Sequence, residues 1–218
     1  MLEEIVDKDG VCLGKGAFFD DYIIFFGNSS GTLERLASHF SKFTFRFIKQ
    51  VHGDRVIASC EGAEEADGHY TSEINIALCI RTADCIPVLF KAGTSVFALH
   101  CGWRGVANGI SLKALELCME APKQVFIGPH IPYTHFEVHN DVAARLLRNY
   151  NGMIEAQYQH SDPEKSFIDL DAILLDQFKM DEDDFIISAE NTLTDTRYNS
   201  HRRDQTKDRN ISFICRLN

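Results

Sequence analysis

The sequence predicts an α+β fold: a mixed α/β sandwich with mixed sheets, in a single domain over residues 1–218. Three observations predict it. Strand-like segments outnumber helical ones, they interleave with helices irregularly, and no repeating βαβ spacing marks a doubly wound parallel sheet. A chain of 218 residues without an internal repeat, a low-complexity tract or a linker fits one domain and is long enough to bury a sizeable core.

Each element has its own signal. Residues 11–27 are apolar and aromatic and end in YIIFFG, which reads as one strand, and NSSG at 28–31 is a turn. Thr32 is placed to cap a short helix, LERLASHF, with Arg35 as its third helical residue. TFRFIKQVH alternates as a strand, with Phe43, Phe45 and Phe47 on one parity, and runs into the polar turn Gln50-Val51-His52-Gly53-Asp54. VIASC is a short strand, and the acidic run from Glu61 to Asp67 reads as a solvated loop. INIALCI, IPVLF and SVFALHC are buried-strand candidates. From Gly105 to Ala121 the period changes to that of an amphipathic helix, stopped before Pro122. QVFIGPHIP is a strand ending in a Gly-Pro turn. Asp141 is expected to cap the helix VAARLLRNY. Residues 151–168 read as loop, and Asp169 or Asp171 starts a helix through Met180. DEDD is a charged connector, FIISAE a strand, 191–209 a long polar segment, and ISFICRL the closing strand.

Composition narrows the function. With 22 basic against 32 acidic residues the net charge is -10, which argues against nucleic acid or a membrane as the main partner. The start, MLEEIVDKDG, is acidic where a signal peptide would be basic and then apolar, and no apolar run is long enough to span a bilayer. Seven cysteines, an odd number without a CxxC, suit a reducing compartment. A cytoplasmic monomer or homodimer is expected.

The chemistry gathers at two strand ends, Arg81-Thr82-Ala83-Asp84-Cys85 and His100-Cys101-Gly102-Trp103-Arg104-Gly105. His52, Cys85 and His100 make the best constellation. Their intervals are too long for a finger or ribbon and suit ligands that a sheet brings together. Two imidazoles and a thiolate form a zinc set, and three protein ligands leave a position open, the catalytic pattern. The same residues allow a second reading, with Cys85 as nucleophile, His100 as base, and Asp84 or Asp67 orienting the base. Buried structural Cys and His are the ordinary alternative. Arg81, Arg104, Arg202 and Arg203 are candidate anion contacts, because a guanidinium fork matches phosphate or carboxylate. Arg209 and His201 read as surface. Trp103 could stack on a planar ring or pack in the core, and His130 is a further pocket candidate.

Taken together, QVHGDRV, ADG, RTADCIPVLF and LHCGWRGVANG resemble the YfiH family, whose vertebrate member is FAMIN; GPHIPYTHFEVHNDV and TRYNSHRRDQTKDRNISFI agree. The resemblance runs from about residue 44 to the end. It implies a single α/β sandwich distantly like a toxin cysteine deamidase, with zinc on the residues corresponding to His52, Cys85 and His100. It implies purine nucleoside phosphorylase activity on adenosine, inosine, guanosine and methylthioadenosine, with adenosine deaminase activity besides. Catalytic roles fall to Cys85, His100 and Asp84, and substrate binding to Arg81, Asp67, Trp103, Arg104 and Arg203. Arg81 first, and Arg203 second, are the expected phosphate clamps; Asp84 or Asp67 would protonate ammonia in deamination.

The family's other descriptions are the rivals: a peptidoglycan editing hydrolase acting on a cell-wall precursor, and a copper-dependent polyphenol oxidase. This chain lacks the cysteines that members often carry after the Gly-Pro turn and before the C-terminal block, which makes a multicopper site less plausible.

Overall fold

The computed structural model describes residues 2–152 and 154–218. One six-stranded sheet has the spatial order β1 (Glu3–Val6), β2 (Cys12–Phe18), β3 (Tyr22–Gly27), β15 (Asn210–Arg216), β7 (Ile76–Thr82), β4 (Thr44–Phe47). A second has the order β14 (Phe185–Ile187), β10 (Val125–Ile127), β8 (Ile86–Ala92), β9 (Ser95–Cys101), β6 (Gly68–Thr71), β5 (Val56–Ala58). A small third sheet has the order β11 (Glu137–His139), β13 (Lys165–Ile168), β12 (Gln157–Gln159). Both large sheets are mixed: β4 runs parallel to β7, β14 to β10, and β5 to β6, within otherwise antiparallel ladders. The predicted mixed α/β sandwich is the observed architecture.

The layering follows from which side chains alternate. Ile24, Phe26, Leu78, Ile80 and Ile214 of the first sheet meet Leu89, Val96, Ala98 and Phe126 of the second in one inter-sheet core. The opposite face of the first sheet carries Ile23, Phe25, Ala77, Cys79 and Phe213, covered by Leu36 of helix α1 (Leu33–His39). The opposite face of the second carries Val88, Phe90, Phe97 and Leu99. It packs on Val106 of α2 (Trp103–Ala107), Ile110 of α3 (Ile110–Glu116), Leu146 of α4 (Asn140–Leu147) and Ile173 of α5 (Leu170–Phe178). Central strands therefore bury both faces. That is why INIALCI and SVFALHC are continuous apolar runs. Each large side chain so buried contributes roughly 1.5–3 kcal/mol.

Several expected elements differ. Residues 11–27 form a hairpin of two strands, β2 and β3, because Asp20 and Asp21 break the run. The helix expected over 105–121 is two short helices, split where Gly109 adopts φ 76°. Thr32 caps α1 as expected, accepting from the Arg35 N–H, and Asp169 caps α5. Asp141 does not cap α4; His139 holds the N-cap position and Asp141 lies in the first turn. Residues 151–168 contain β12 and β13, and the polar segment 191–209 contains helix α6 (His201–Asp204), capped by Ser200. The acidic run ends buried: Lys49 and Glu65 form a parallel bridge, and Ala66 and Asp67 are fully enclosed. Among the described residues no helix is long and apolar enough to cross a membrane.

Candidate metal centre

Two strand ends and one loop meet at a single edge of the sandwich. His52 lies on the loop after β4, Cys85 directly before β8, and His100 near the end of β9. The β8–β9 register pairs Pro87 with His100, which brings Cys85 beside the end of β9. One ligand atom from each of His52, Cys85 and His100 lies within 4.8 Å of the others. The two imidazole rings stand 4.8 Å apart at 81°, edge to face.

The support behind this triad is Asp67, which is 0% exposed. Its Oδ1 lies 2.7 Å from Nδ1 of His100. The same carboxylate accepts the backbone N–H groups of Val51, His52 and Gly53 at 3.2, 3.0 and 2.6 Å. Three successive N–H groups converging on one anion form a nest, and the loop meets that demand by holding His52 at φ 59°. With Nδ1 of His100 committed to Asp67, Nε2 is the atom left for the centre, the arrangement that orients metal-bound imidazoles.

Two glycines give the loop its room. A Cβ on Gly102 would stand 3.4 Å from His52 Cδ2 and 3.5 Å from Cys85 Sγ, directly against the donors. A Cβ on Gly105 would stand 2.6 Å from the Gly53 carbonyl oxygen, so α2 rests on the His52 loop only without a side chain there.

Electrostatics agree with the geometry. Burial pushes the Cys85 thiol up, but hydrogen bonds and charge from His100 and His52 more than offset it and bring it to about 6. Burial disfavours charge on His100, yet Asp67 and Cys85 together raise it to about 9. Asp67 is held below the ordinary carboxylate range: its burial opposes this, and the His100 and Gly53 hydrogen bonds outweigh it. Cys79, Cys101 and Cys215 are buried thiols pushed up by desolvation, and so are inert. A low-lying thiolate with two imidazoles is a donor set that fits zinc.

The triad opens into a cleft of about 790 Å³, lined by Gln50, Arg81, Asp84, Trp103, Arg104 and Phe136 among others. Gln50 clamps Arg81 through both its backbone N–H and its carbonyl, each at 2.8 Å, and the guanidinium lies 3.9 Å over the Phe47 ring. Trp103 packs on the core and carries the Arg104 guanidinium at 4.5 Å over its ring, with Arg145 at 5.5 Å. Asp84, at φ 87°, accepts the Thr192 hydroxyl at 2.9 Å and the Arg202 N–H at 2.7 Å.

Two expected substrate contacts stand outside the cleft lining. Asp67 lies behind His100 and does not line the cleft. Arg203 turns away: it pairs with Asp204 and donates to the carbonyls of Thr192 and Tyr198 at 2.7 and 2.8 Å. His130, the further pocket candidate, lines a separate pocket outside this cleft and pairs there with Asp171 at 3.2 Å. In the other direction, His201 and Arg209, read as surface from the sequence, line the cleft together with Arg202.

Residues 28–217 match the family described as multi-copper polyphenol oxidoreductase laccase. The protein named purine nucleoside phosphorylase YfiH from Escherichia coli strain K12 is 30% identical over 177 residues, covering 77% of this chain and 72% of that one. A purine nucleoside phosphorylase from Pseudomonas aeruginosa is 38% identical over 102 residues, 44% of this chain and 42% of that one. Among solved structures, a Neisseria meningitidis protein superposes with a TM-score of 0.83 at 22% identity, over 94% of this chain and 100% of that one. The Bacillus licheniformis hypothetical protein YfiH gives 0.78 at 23% identity, over 90% and 93%. At those identities the two structures establish a shared fold.

Proposed function

The chain belongs to the multi-copper polyphenol oxidoreductase laccase family, and from that premise we propose that it is a zinc-dependent purine nucleoside phosphorylase. The observation that carries the reading is the convergence of His52, Cys85 and His100 at the base of a cleft lined by arginines. Support comes from relatives that bear the purine nucleoside phosphorylase name.

His52, Cys85 and His100 would hold the ion. Bound there, zinc supplies Lewis acidity for the charge that develops as the substrate reacts. Asp67 orients two of the three ligands, one through its imidazole and one through its backbone. Arg81, fixed by Gln50 and Phe47 and free of any carboxylate partner among the described residues, binds phosphate for attack at C1′. Ile131, Phe136 and Leu170 give the cleft an apolar wall for the purine. Asp84 holds the segment carrying Arg202 against the cleft. The substrates are adenosine, inosine, guanosine and methylthioadenosine. Deamination of adenosine is a second activity of the same pocket, with the exposed edge of the purine near the metal ligands.

Multicopper oxidation is the weaker reading. Among the described residues one cluster can hold an ion, whereas relaying electrons from phenols to oxygen needs several.

A second reading has its own observation. Cys85, His100 and Asp67 also form a thiol–imidazole–carboxylate series, with the thiol brought to about 6, the arrangement of a cysteine nucleophile. That reading suits a hydrolase acting on a cell-wall precursor.

Product analysis by mass spectrometry separates these. From adenosine plus phosphate, the wild type is expected to give adenine and ribose 1-phosphate, and Cys85→Ala neither. Turnover by metal-stripped protein that iodoacetamide abolishes would replace the metal reading with the thiol one.

A further inference from the structure

The cleft carries more positive charge than one phosphate requires. The chain as a whole is acidic, at -10, yet Arg81, Arg104, Arg202 and Arg209 all line this one cleft, with Asp84 as its one carboxylate among the described lining residues. Elsewhere arginines sit against carboxylates, as in Arg35–Asp7, Arg46–Glu73, Arg55–Glu64 and Arg197–Asp195. Among the described residues the four cleft arginines make no such pair. They are held instead by rings and carbonyls: Arg81 over Phe47 at 3.9 Å, Arg104 over Trp103 at 4.5 Å, Arg202 on the His135 carbonyl at 3.0 Å, and Arg209 on the Asp208 carbonyl at 2.8 Å. Such contacts fix a guanidinium without neutralising it. Like charges gathered in a cleft repel one another and raise the local anion concentration. They destabilise the empty site and are compensated when anions bind.

The arginines also divide between two walls. The β15–β7 register pairs Ile211 with Arg81. Arg209 lies directly before β15, in the segment that leads into the strand paired beside Arg81, and lines the same cleft. Arg104 is the second residue of α2, which follows β9 of the second sheet, so it reaches the cleft from the other sheet. On the phosphorylase reading, one phosphate dianion occupies the Arg81 wall. The Arg104 wall is left with an uncompensated guanidinium that a neutral nucleoside does not satisfy. At about 790 Å³ the cleft sits in the upper part of the range for small-molecule sites, so volume does not oppose a larger ligand.

We propose that the cleft takes a ligand with an anionic group of its own, a purine nucleoside 5′-phosphate, whose phosphate is held by Arg104 while inorganic phosphate is held by Arg81. This deepens the phosphorylase reading and rests on it for the reaction. In that reaction a phosphate oxygen bonds to C1′ as the C1′–N9 bond breaks. The electron pair stays on the purine, which receives, through water, the proton that hydrogen phosphate gives up, and the sugar leaves as ribose 1,5-bisphosphate.

The test measures kcat/KM for adenosine and for adenosine 5′-monophosphate with the zinc-loaded protein, and binding of each nucleotide or nucleoside alone by calorimetry. A preference for the monophosphate of about tenfold or more is expected, the worth of a charge-assisted contact. Arg104→Gln is expected to bring that ratio towards one, and Lys207→Gln, away from the cleft lining, to leave it. Equal or weaker binding of the monophosphate, or a ratio unmoved by Arg104→Gln, overturns the proposal. Tenfold tighter monophosphate binding without turnover of either compound would uphold the anion site and sink the phosphorylase reading. Turnover of adenosine without a monophosphate preference would do the reverse.

Discussion

The Asp67 carboxylate lies 2.7 Å from Nδ1 of His100 and also accepts the N–H of His52 at 3.0 Å, so one buried anion fixes two of the three candidate ligands. Removing it loosens a side chain and a loop together. Asp67→Ala is expected to weaken zinc binding by about 10–100-fold, read by competition with a chromophoric chelator. Asp67→Asn should not rescue it, because an amide NH2 would face backbone N–H donors. Wild-type zinc affinity in either variant would remove Asp67 from the support of the site.

The glycines of the 102–105 turn separate crowding from unfolding. In Gly102→Ala the new Cβ makes ordinary contacts at 3.4 and 3.5 Å. Its stability is expected within about 0.5 kcal/mol of wild type, while zinc affinity falls because the methyl stands against the donors. In Gly105→Ala the 2.6 Å approach to Gly53 forces α2 away from the His52 loop. The expected cost is about 1–3 kcal/mol by chemical denaturation. Equal stabilities for the two variants would contradict the packing described.

Metal-stripped protein should expose the thiolate at Cys85. Alkylation proceeds through the thiolate, so its rate at Cys85 is expected to rise with pH through about 6 and then level off. Cys118, raised by burial to about 11, should stay slow throughout. Peptide mapping after iodoacetamide pulses reads both, and added zinc should protect Cys85. A Cys85 midpoint near that of a free thiol would show that His52 and His100 do not stabilise it.

The pair of buried His130 and part-exposed Asp171 predicts a pH-dependent stability. Desolvation disfavours the charged imidazole, but Asp171 and the Gly128 carbonyl raise its titration above the ordinary 6.5. A raised histidine contributes fully below its unfolded pKa and loses that contribution as pH climbs through the folded one. Asp171→Asn is therefore expected to cost about 3 kcal/mol at pH 6 and less at pH 9, by urea denaturation. A cost that grew with pH would mean the pair is not charged in the folded protein.

What was legible in the sequence tracks burial on both faces. β7, β8 and β9 showed as apolar runs because each lies between two cores. β12, Gln157-Tyr158-Gln159, and β1, with Glu3 and Glu4, are short and polar because they sit at sheet edges. No periodicity marks such strands. The split between α2 and α3 depends on one left-handed glycine inside an otherwise helical pattern. In the site, His52, Cys85 and His100 could be named from their motifs. That Asp67 stands enclosed behind His100 and outside the cleft lining could not, because an acidic run says nothing about which of its members is enclosed. Arg202 and Arg203 are adjacent on α6, and neighbours on a helix point about 100° apart. One faces the cleft and the other the loop carbonyls, a choice only the three-dimensional packing makes.

The most direct measurement is release of adenine from adenosine as a function of phosphate, using one preparation as purified, stripped with a chelator, and reloaded with zinc. Saturable phosphate dependence that disappears on stripping, returns on reloading and is absent in Cys85→Ala is the predicted result. Adenine release that ignores phosphate, or that survives stripping, would contradict a metal-dependent phosphorylase built on His52, Cys85 and His100.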